Sequence, residues 1–103
     1  MTLVQLEHPE ARAELRAGAN WYDDPETGQE LLEATRAARR SIAAMPEAWP
    51  PSRGWTRIPV VRRKGVVGFP YGVIYYVRDD AIVIIAYAHD KRRPGYWRQR
   101  VDT

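Results

Sequence analysis

The chain has 103 residues, 45% of them hydrophobic, and no cysteine, which excludes a disordered chain, disulfides and thiolate metal sites and leaves one small domain with a marginal core. The net charge of +3 hides a division, because residues 1–50 carry five Lys/Arg and nine Asp/Glu whereas residues 51–103 carry eleven and four. Only Lys64 and Lys91 of the sixteen basic residues are lysines, and guanidiniums suit bidentate contacts and stacking, so the basic half reads as a surface for an acidic partner or nucleic acid.

Residues 2–6 alternate as a short strand. Pro9 suits a first helical turn, and Ala11, Leu15, Ala19 and Tyr22 then recur at helical spacing, which predicts an amphipathic helix over residues 9–23. Asp23-Asp24-Pro25 ends it. Thr27-Gly28-Gln29-Glu30 fits a capping box opening a second helix. Its buried stripe is Leu31, Thr35, Ala38, Ile42 and Met45, with Arg36, Arg39 and Arg40 turned away and Pro46 as the stop. The pair reads as an antiparallel helical hairpin.

Residues 46–54 read as a loop flanked by Trp49 and Trp55. Thr56–Arg62 is predicted to be a strand with Ile58 and Val60 inward, unpaired or bulged at Pro59, and Arg62–Gly65 a basic turn. Residues 69–78 and 81–88 are apolar on both faces, as central strands are, and Asp79-Asp80 makes a tight hairpin between them. Residues 94–100 suit a last turn of helix. The order β-α-α-β-β-β predicts a single α+β domain over residues 1–103: an antiparallel sheet with an N-terminal two-helix hairpin on one face. Val73, Tyr75, Val77, Ile82, Ile84 and Ala86 are its expected core.

No standard catalytic motif occurs, and the two histidines have no accompanying ligand pattern, so neither a cofactor nor a metal is expected. His89, where a core strand meets the basic tail, is either a proton shuttle or a strand-end histidine bonded to backbone. Arg92, Arg93, Arg98 and Arg100 with Tyr96 and Trp97 can grip phosphates while the rings stack on bases; alternatively the two rings fold back over the sheet edge. Arg62, Arg63 and Lys64 form a second basic cluster that either faces this tail or is an ordinary charged turn. Glu7, Glu10 and Glu14 read as a solvated face near the positive helix terminus. Neither a secretory leader nor a bilayer-spanning stretch is recognisable, so a cytoplasmic location without membrane contact is expected.

Several segments in order carry a family resemblance: Glu14-Leu15, Ala19-Asn20-Trp21-Tyr22, Ile42-Ala43-Ala44-Met45-Pro46, Phe69-Pro70-Tyr71 leading into Val73, Tyr75 and Val77, Asp79-Asp80, Ala88-His89, and Arg92-Arg93-Pro94-Gly95-Tyr96-Trp97. Together the chain resembles the ParE/RelE superfamily of bacterial type II toxin–antitoxin modules. The resemblance implies a growth-inhibiting toxin that a co-encoded antitoxin wraps and neutralises, as a homodimer or a heterotetramer with that antitoxin. It implies one of two targets, DNA gyrase in ParE-like members or the ribosome in RelE-like mRNA endonucleases. The nuclease branch carries an Arg after the aromatic residue that opens a strand; here Tyr71 is followed by Gly72. That branch also uses an Arg and a Tyr after the last strand, which maps its chemistry onto His89, Arg92, Arg93 and Tyr96. Arg62 or Arg63 would then replace the missing guanidinium, and Tyr71, Trp97 and Arg98 would be binding residues. Gly72 ranks the gyrase branch first, with the nuclease second and a non-toxic nucleic-acid-binding module third.

Overall fold

A computed structural model describes residues 3–101; the predicted first strand began at Thr2, outside them. The elements are β1 (Val4–Glu7), α1 (Pro9–Trp21), α2 (Pro25–Ala44), β2 (Arg62–Gly65), β3 (Tyr71–Arg78), β4 (Ala81–His89) and a 3-10 turn at Arg98–Arg100. They form an α+β fold with a four-stranded sheet in the order β1-β4-β3-β2. Strands β2, β3 and β4 are the expected antiparallel meander. The sheet as a whole is mixed, because the meander walks back from the far edge and places β4 beside β1, which pairs with it in parallel from Val4↔Ala81 to Glu7↔Ile84. Among the described residues no helix is long and apolar enough to cross a membrane.

The first helix starts at Pro9, as expected, and the second is capped three residues before the expected Thr27. His8 caps α1 by accepting from the Glu10 amide, and Pro9 follows at the first helical position. Asp24 caps α2 by accepting from the Thr27 amide, again with Pro25 next. Asp24-Pro25 is therefore the start of α2 as well as the limit of α1, and Thr27 is inside the helix rather than its cap. Ala11, Leu31, Thr35, Ala38 and Ile42 face the sheet as expected, but Met45 lies beyond the helix and is 62% exposed. Arg39 is not turned away: its Nε donates to Gln5 Oε1 at 2.8 Å, and its guanidinium reaches Glu7 at 3.6 Å. The helices meet closely at Gly28, where a Cβ would come within 2.6 Å of the Ala19 carbonyl oxygen.

Residues 56–61 are not a strand. Pro59 has no N–H to give a ladder, Ile58 is 93% exposed, and the strand begins only at Arg62. The expected basic turn is thus β2 itself. Two-residue alternation then sends Arg62 and Lys64 to the helix side, where Arg62 donates to the Trp49 carbonyl at 2.8 Å and Lys64 Nζ lies 4.3 Å from the Trp49 ring centre. Arg63 goes to the other side. At the β3–β4 turn Asp79 takes φ 53°, a left-handed conformation that Asp tolerates in a tight hairpin.

The sheet is buried on both faces. Val73, Tyr75, Ile82 and Ile84 pack under the helices, with Val77 at the margin. On the opposite face Trp55, Val61, Ile74, Tyr76, Ile85, Trp97 and Val101 form a second cluster. The register slips once: Ile74 opposes Ala86 while Tyr75 opposes Ile84, so Ile85 is an extra residue in β4. Such a bulge turns two successive side chains to one side. Ile85 and Ala86 both join the second cluster, and Tyr87 instead returns to the helix side. Ala86 is buried, as expected, but in the other core.

The bulge sits where β1 has ended and the edge of β4 would lie open. Glu14 closes it: the Tyr87 amide donates to Glu14 Oε1 at 3.1 Å. Arg100 donates to both Glu14 oxygens, at 2.9 and 3.2 Å, and to the Ile85 carbonyl at 3.0 Å. The Tyr96 hydroxyl donates to Glu14 Oε2 at 2.6 Å. Glu14 is only 16% exposed and Arg100 13%, so neither belongs to a solvated face. Glu7, 13% exposed, is likewise enclosed: it accepts from the Tyr87 hydroxyl and from Arg12 Nε at 3.0 Å.

Four outcomes follow for stability. Removing Glu14 takes its carboxylate away from the Tyr96 phenol, the Tyr87 amide and the Arg100 guanidinium, which keeps its contacts with the Ile85 carbonyl and Glu10, so Glu14→Ala should cost about 3–5 kcal/mol in urea unfolding; a loss no larger than that of the exposed Glu33→Ala would contradict the latch. Gly28→Ala gains about 1 kcal/mol of helix propensity but drives a methyl into backbone, so it should be destabilising by roughly 1–2 kcal/mol net. Gly65→Ala, with nothing within 4 Å of the added carbon, should be tolerated. Burial raises the Glu7 pKa, but the Tyr87 and Arg12 hydrogen bonds and the Arg39 charge together outweigh it, leaving it below the ordinary 4.5. A carboxylate with a depressed folded pKa stabilises fully above its unfolded value and loses that contribution as pH falls through the folded one. The urea midpoint of the wild type should therefore drop more steeply below about pH 4.5 than that of Glu7→Gln; parallel curves would refute this.

Candidate functional site

The last residues of β4 and the tail after it gather most of the predicted groups. His89 pairs in register with Tyr71, and their rings meet edge to face at 5.1 Å. The Lys91 amide donates to His89 Nδ1 at 3.1 Å, which is the backbone-bonded role allowed from sequence.

On the face away from the helices, a cleft of about 350 Å³ is lined by His89, Asp90, Arg53, Arg63, Arg92 and Arg93 with Tyr96 at its side. Arg63 enters it because of Gly72. A Cβ at position 72 would fall 2.4 Å from the Arg63 guanidinium carbon, so only glycine lets that group lie flat on β3. Arg63 is ion-paired there with Asp90. Arg53 had not been singled out from sequence; it comes in through the loop before β2. Arg62 stays on the opposite face and takes no part.

A second cleft, about 260 Å³, opens on the α1 side between Glu14, Gly18, Trp21, Tyr71, His89 and Tyr96. Tyr71 lies across Gly18, where a Cβ would be 2.8 Å from its hydroxyl. Burial raises its pKa, helped by the nearby Tyr22 and Glu14. Trp21, 78% exposed at the end of α1, is an aromatic group on this side that the sequence reading left unassigned.

Tyr96 is fixed and half-buried. Burial, followed by its hydrogen bond to Glu14 and the Glu14 charge, raises its pKa far above the usual phenol range. The guanidinium carbons of Arg92 and Arg100 lie 3.8 and 5.2 Å from its ring centre. Trp97 folds back entirely: it is 3% exposed and packs on Trp55 at 5.4 Å, so it is core and offers no ring to a ligand. Arg98 is exposed, lies over Gly95 and is not among the residues lining either cleft.

An imidazole beside four arginines and one carboxylate can hold a phosphate or a partner's carboxylates. A neutral Tyr96 hydroxyl already donating to Glu14 cannot also take a proton. Among the described residues no group of three or more His, Asp or Glu is placed to hold a metal ion.

The family model described as the ParE toxin of the type II toxin-antitoxin system parDE matches residues 7–94. No curated protein matches the chain significantly. Among solved structures, a chain of the chromosomal ParDE TA system from P. aeruginosa has a similar fold, with a TM-score of 0.70 and 16% identity over 85% of this chain and 96% of that one. At that identity the likeness concerns the fold, while the family match runs from the end of β1 past β4. The chain belongs to the ParE toxin family of type II toxin–antitoxin systems.

Proposed function

We propose that this chain arrests growth by inhibiting DNA gyrase and is held silent by a co-encoded acidic antitoxin. The observation that carries the choice of target is the state of Tyr96. Its hydroxyl is spent on Glu14 and its ring lies against arginines, so the tail acts as structure. An RNA-cleaving site needs a base for the 2′-hydroxyl and an acid for the leaving oxygen. His89 alone would have to serve as both. The antitoxin reading rests on the basic half of the chain, and on the apolar groove at Leu3, Met45, Ala48 and Val77, which suits an amphipathic segment.

One observation favours the second reading, a ribosome-dependent mRNA endonuclease. Arg63 lies on Gly72, directly after Tyr71, and so brings a guanidinium to the place where the resemblance leads one to expect it. His89, Arg92 and Arg93 line the same cleft.

Expression of the chain alone should stop bacterial growth, and co-expression of the acidic protein encoded beside it should restore growth. Purified protein should block gyrase supercoiling and leave ribosome-bound mRNA intact. His89→Ala, Arg93→Ala and Tyr96→Phe, each verified as folded, should remain toxic. Codon-phased mRNA cuts that vanish in His89→Ala or Arg93→Ala would replace gyrase with the ribosome. Harmless accumulation of folded wild-type protein would refute both targets.

A further inference from the structure

Residues 52–61 leave the sheet and return to it as a closed loop. Its base is joined by the Ser52 amide donating to the Val61 carbonyl at 2.7 Å and by the Arg63 amide donating to the Pro50 carbonyl at 3.1 Å. Its interior is filled by Trp55, which is 9% exposed and packed on Trp97. The Trp55 indole N–H is shared between the carbonyls of Arg57, at 3.0 Å, and Pro59, at 2.8 Å. The Arg57 guanidinium lies 4.4 Å from the Trp55 ring centre. The backbone on both sides of Ile58 is thus tied to one buried indole, and Ile58 itself projects with 93% of its surface exposed, beside the exposed Val60.

A single exposed aliphatic residue is ordinary. This one is different because it is held out by a compact, internally packed loop, so little conformational freedom remains to be lost when it docks. Along the chain its neighbours are one-signed: no Asp or Glu occurs between Glu47 and Asp79, a stretch that contains Arg53, Arg57, Arg62, Arg63, Lys64 and Arg78. Arg57, adjacent to Ile58 in the chain, and Arg53, in the same loop, are both exposed.

Shape separates the possible occupants. A segment that folds into a helix on binding presents a convex ridge and needs a groove, such as the one at Leu3 and Met45. A convex aliphatic knob needs the reverse, a concave apolar pocket, which a folded protein supplies. We propose that Ile58, with Val60, is the anchor by which this chain docks into an apolar, carboxylate-rimmed pocket of the folded protein it acts on, with Arg53 and Arg57 pairing to the rim. The inference rests on the reading of the chain as a toxin with a protein target.

The test compares Ile58→Asp, Ile58→Ala and Arg57→Glu with Val67→Asp, a control at another residue that is 83% exposed. Growth arrest, inhibition of gyrase supercoiling and affinity for the neighbouring acidic protein are measured for each. An anchor residue should cost about thirtyfold or more in inhibitory potency when replaced by Asp, as residues at the centre of an interface do. Ile58→Ala and Arg57→Glu should fall between this and wild type, with antitoxin affinity and Val67→Asp unchanged. Full potency in Ile58→Asp overturns the docking anchor while leaving gyrase as the target. Relief of growth arrest by Ile58→Asp, in a wild type that never touches supercoiling, removes gyrase and keeps the anchor. Parallel loss of antitoxin binding overturns the proposal by assigning the loop to that partner. Salt-sensitive binding to naked duplex DNA that Ile58→Asp abolishes overturns it in favour of a wedge between bases. A wild type that arrests no growth overturns the anchor and the toxin reading together.

Discussion

The carboxylate of Glu14 ties together three parts of the chain. It stands on α1, receives an amide from the bulged end of β4, and receives a bidentate guanidinium and a phenol from the tail. Each of those donors is desolvated, and a desolvated donor without an acceptor is costly, so the cluster is stable complete and unstable in parts. Glu14 holds the tail over the second face of the sheet together with the Tyr76 hydroxyl, which donates to the Val101 carbonyl at 2.6 Å, and the packing of Trp97 on Trp55. That cover then sets the floor of both clefts: Trp97 goes inward on Trp55, and Tyr96 stands between them. The position of His89 at the junction is a result of the same constraint, since the bulge it follows is the one Glu14 completes.

What was legible in the sequence was what local pattern encodes. The two apolar runs and the acidic turn between them gave β3, β4 and their hairpin, and the helical stripes gave the face each helix buries. Two signals were misread for identifiable reasons. Asp24-Pro25 carries a stop for one helix and a cap for the next in the same two residues, and the Thr-Glu pair after it only resembled a cap. The alternation around Ile58 looked like a strand, and the absent Pro59 amide was the clue that it was not; those aliphatic residues point out because no ladder holds them in. Glu14, Arg39 and Ala86 were beyond local reading. Glu14 meets its partners 73 to 86 positions later, and Ala86 changes faces through a bulge that no residue type marks. Of the candidate site, the meeting of His89, Arg92 and Arg93 was foreseeable from their adjacency. The parting of Arg62 from Arg63 required knowing that β2 begins there.

The charge asymmetry of the two halves also acquires a location. Part of it is consumed internally, where Arg100 spans Glu10 and Glu14. The rest is displayed: Arg53, Arg92 and Arg93 are exposed around one cleft, with Asp90 the acidic group lining it. Asp90 pairs with Arg63, and the local field there stays positive, so an anion approaching this face meets attraction before contact. Glycine at position 72 has a role in this that its lack of side chain conceals, because it is the space in which a guanidinium lies.

The parallel pairing of β1 with β4 has a consequence for when the molecule comes into being. Val4–Glu7 find their strand partners only at residues 81–84. During synthesis the first strand and helix emerge long before the segment that completes them, so the nascent chain carries an unpaired strand and an amphipathic helix with no sheet to cover. Contacts of such long sequence separation close late and together. Native structure must therefore arise close to, or after, the end of translation of these residues, and a partner that recognises the finished sheet has nothing to bind until then.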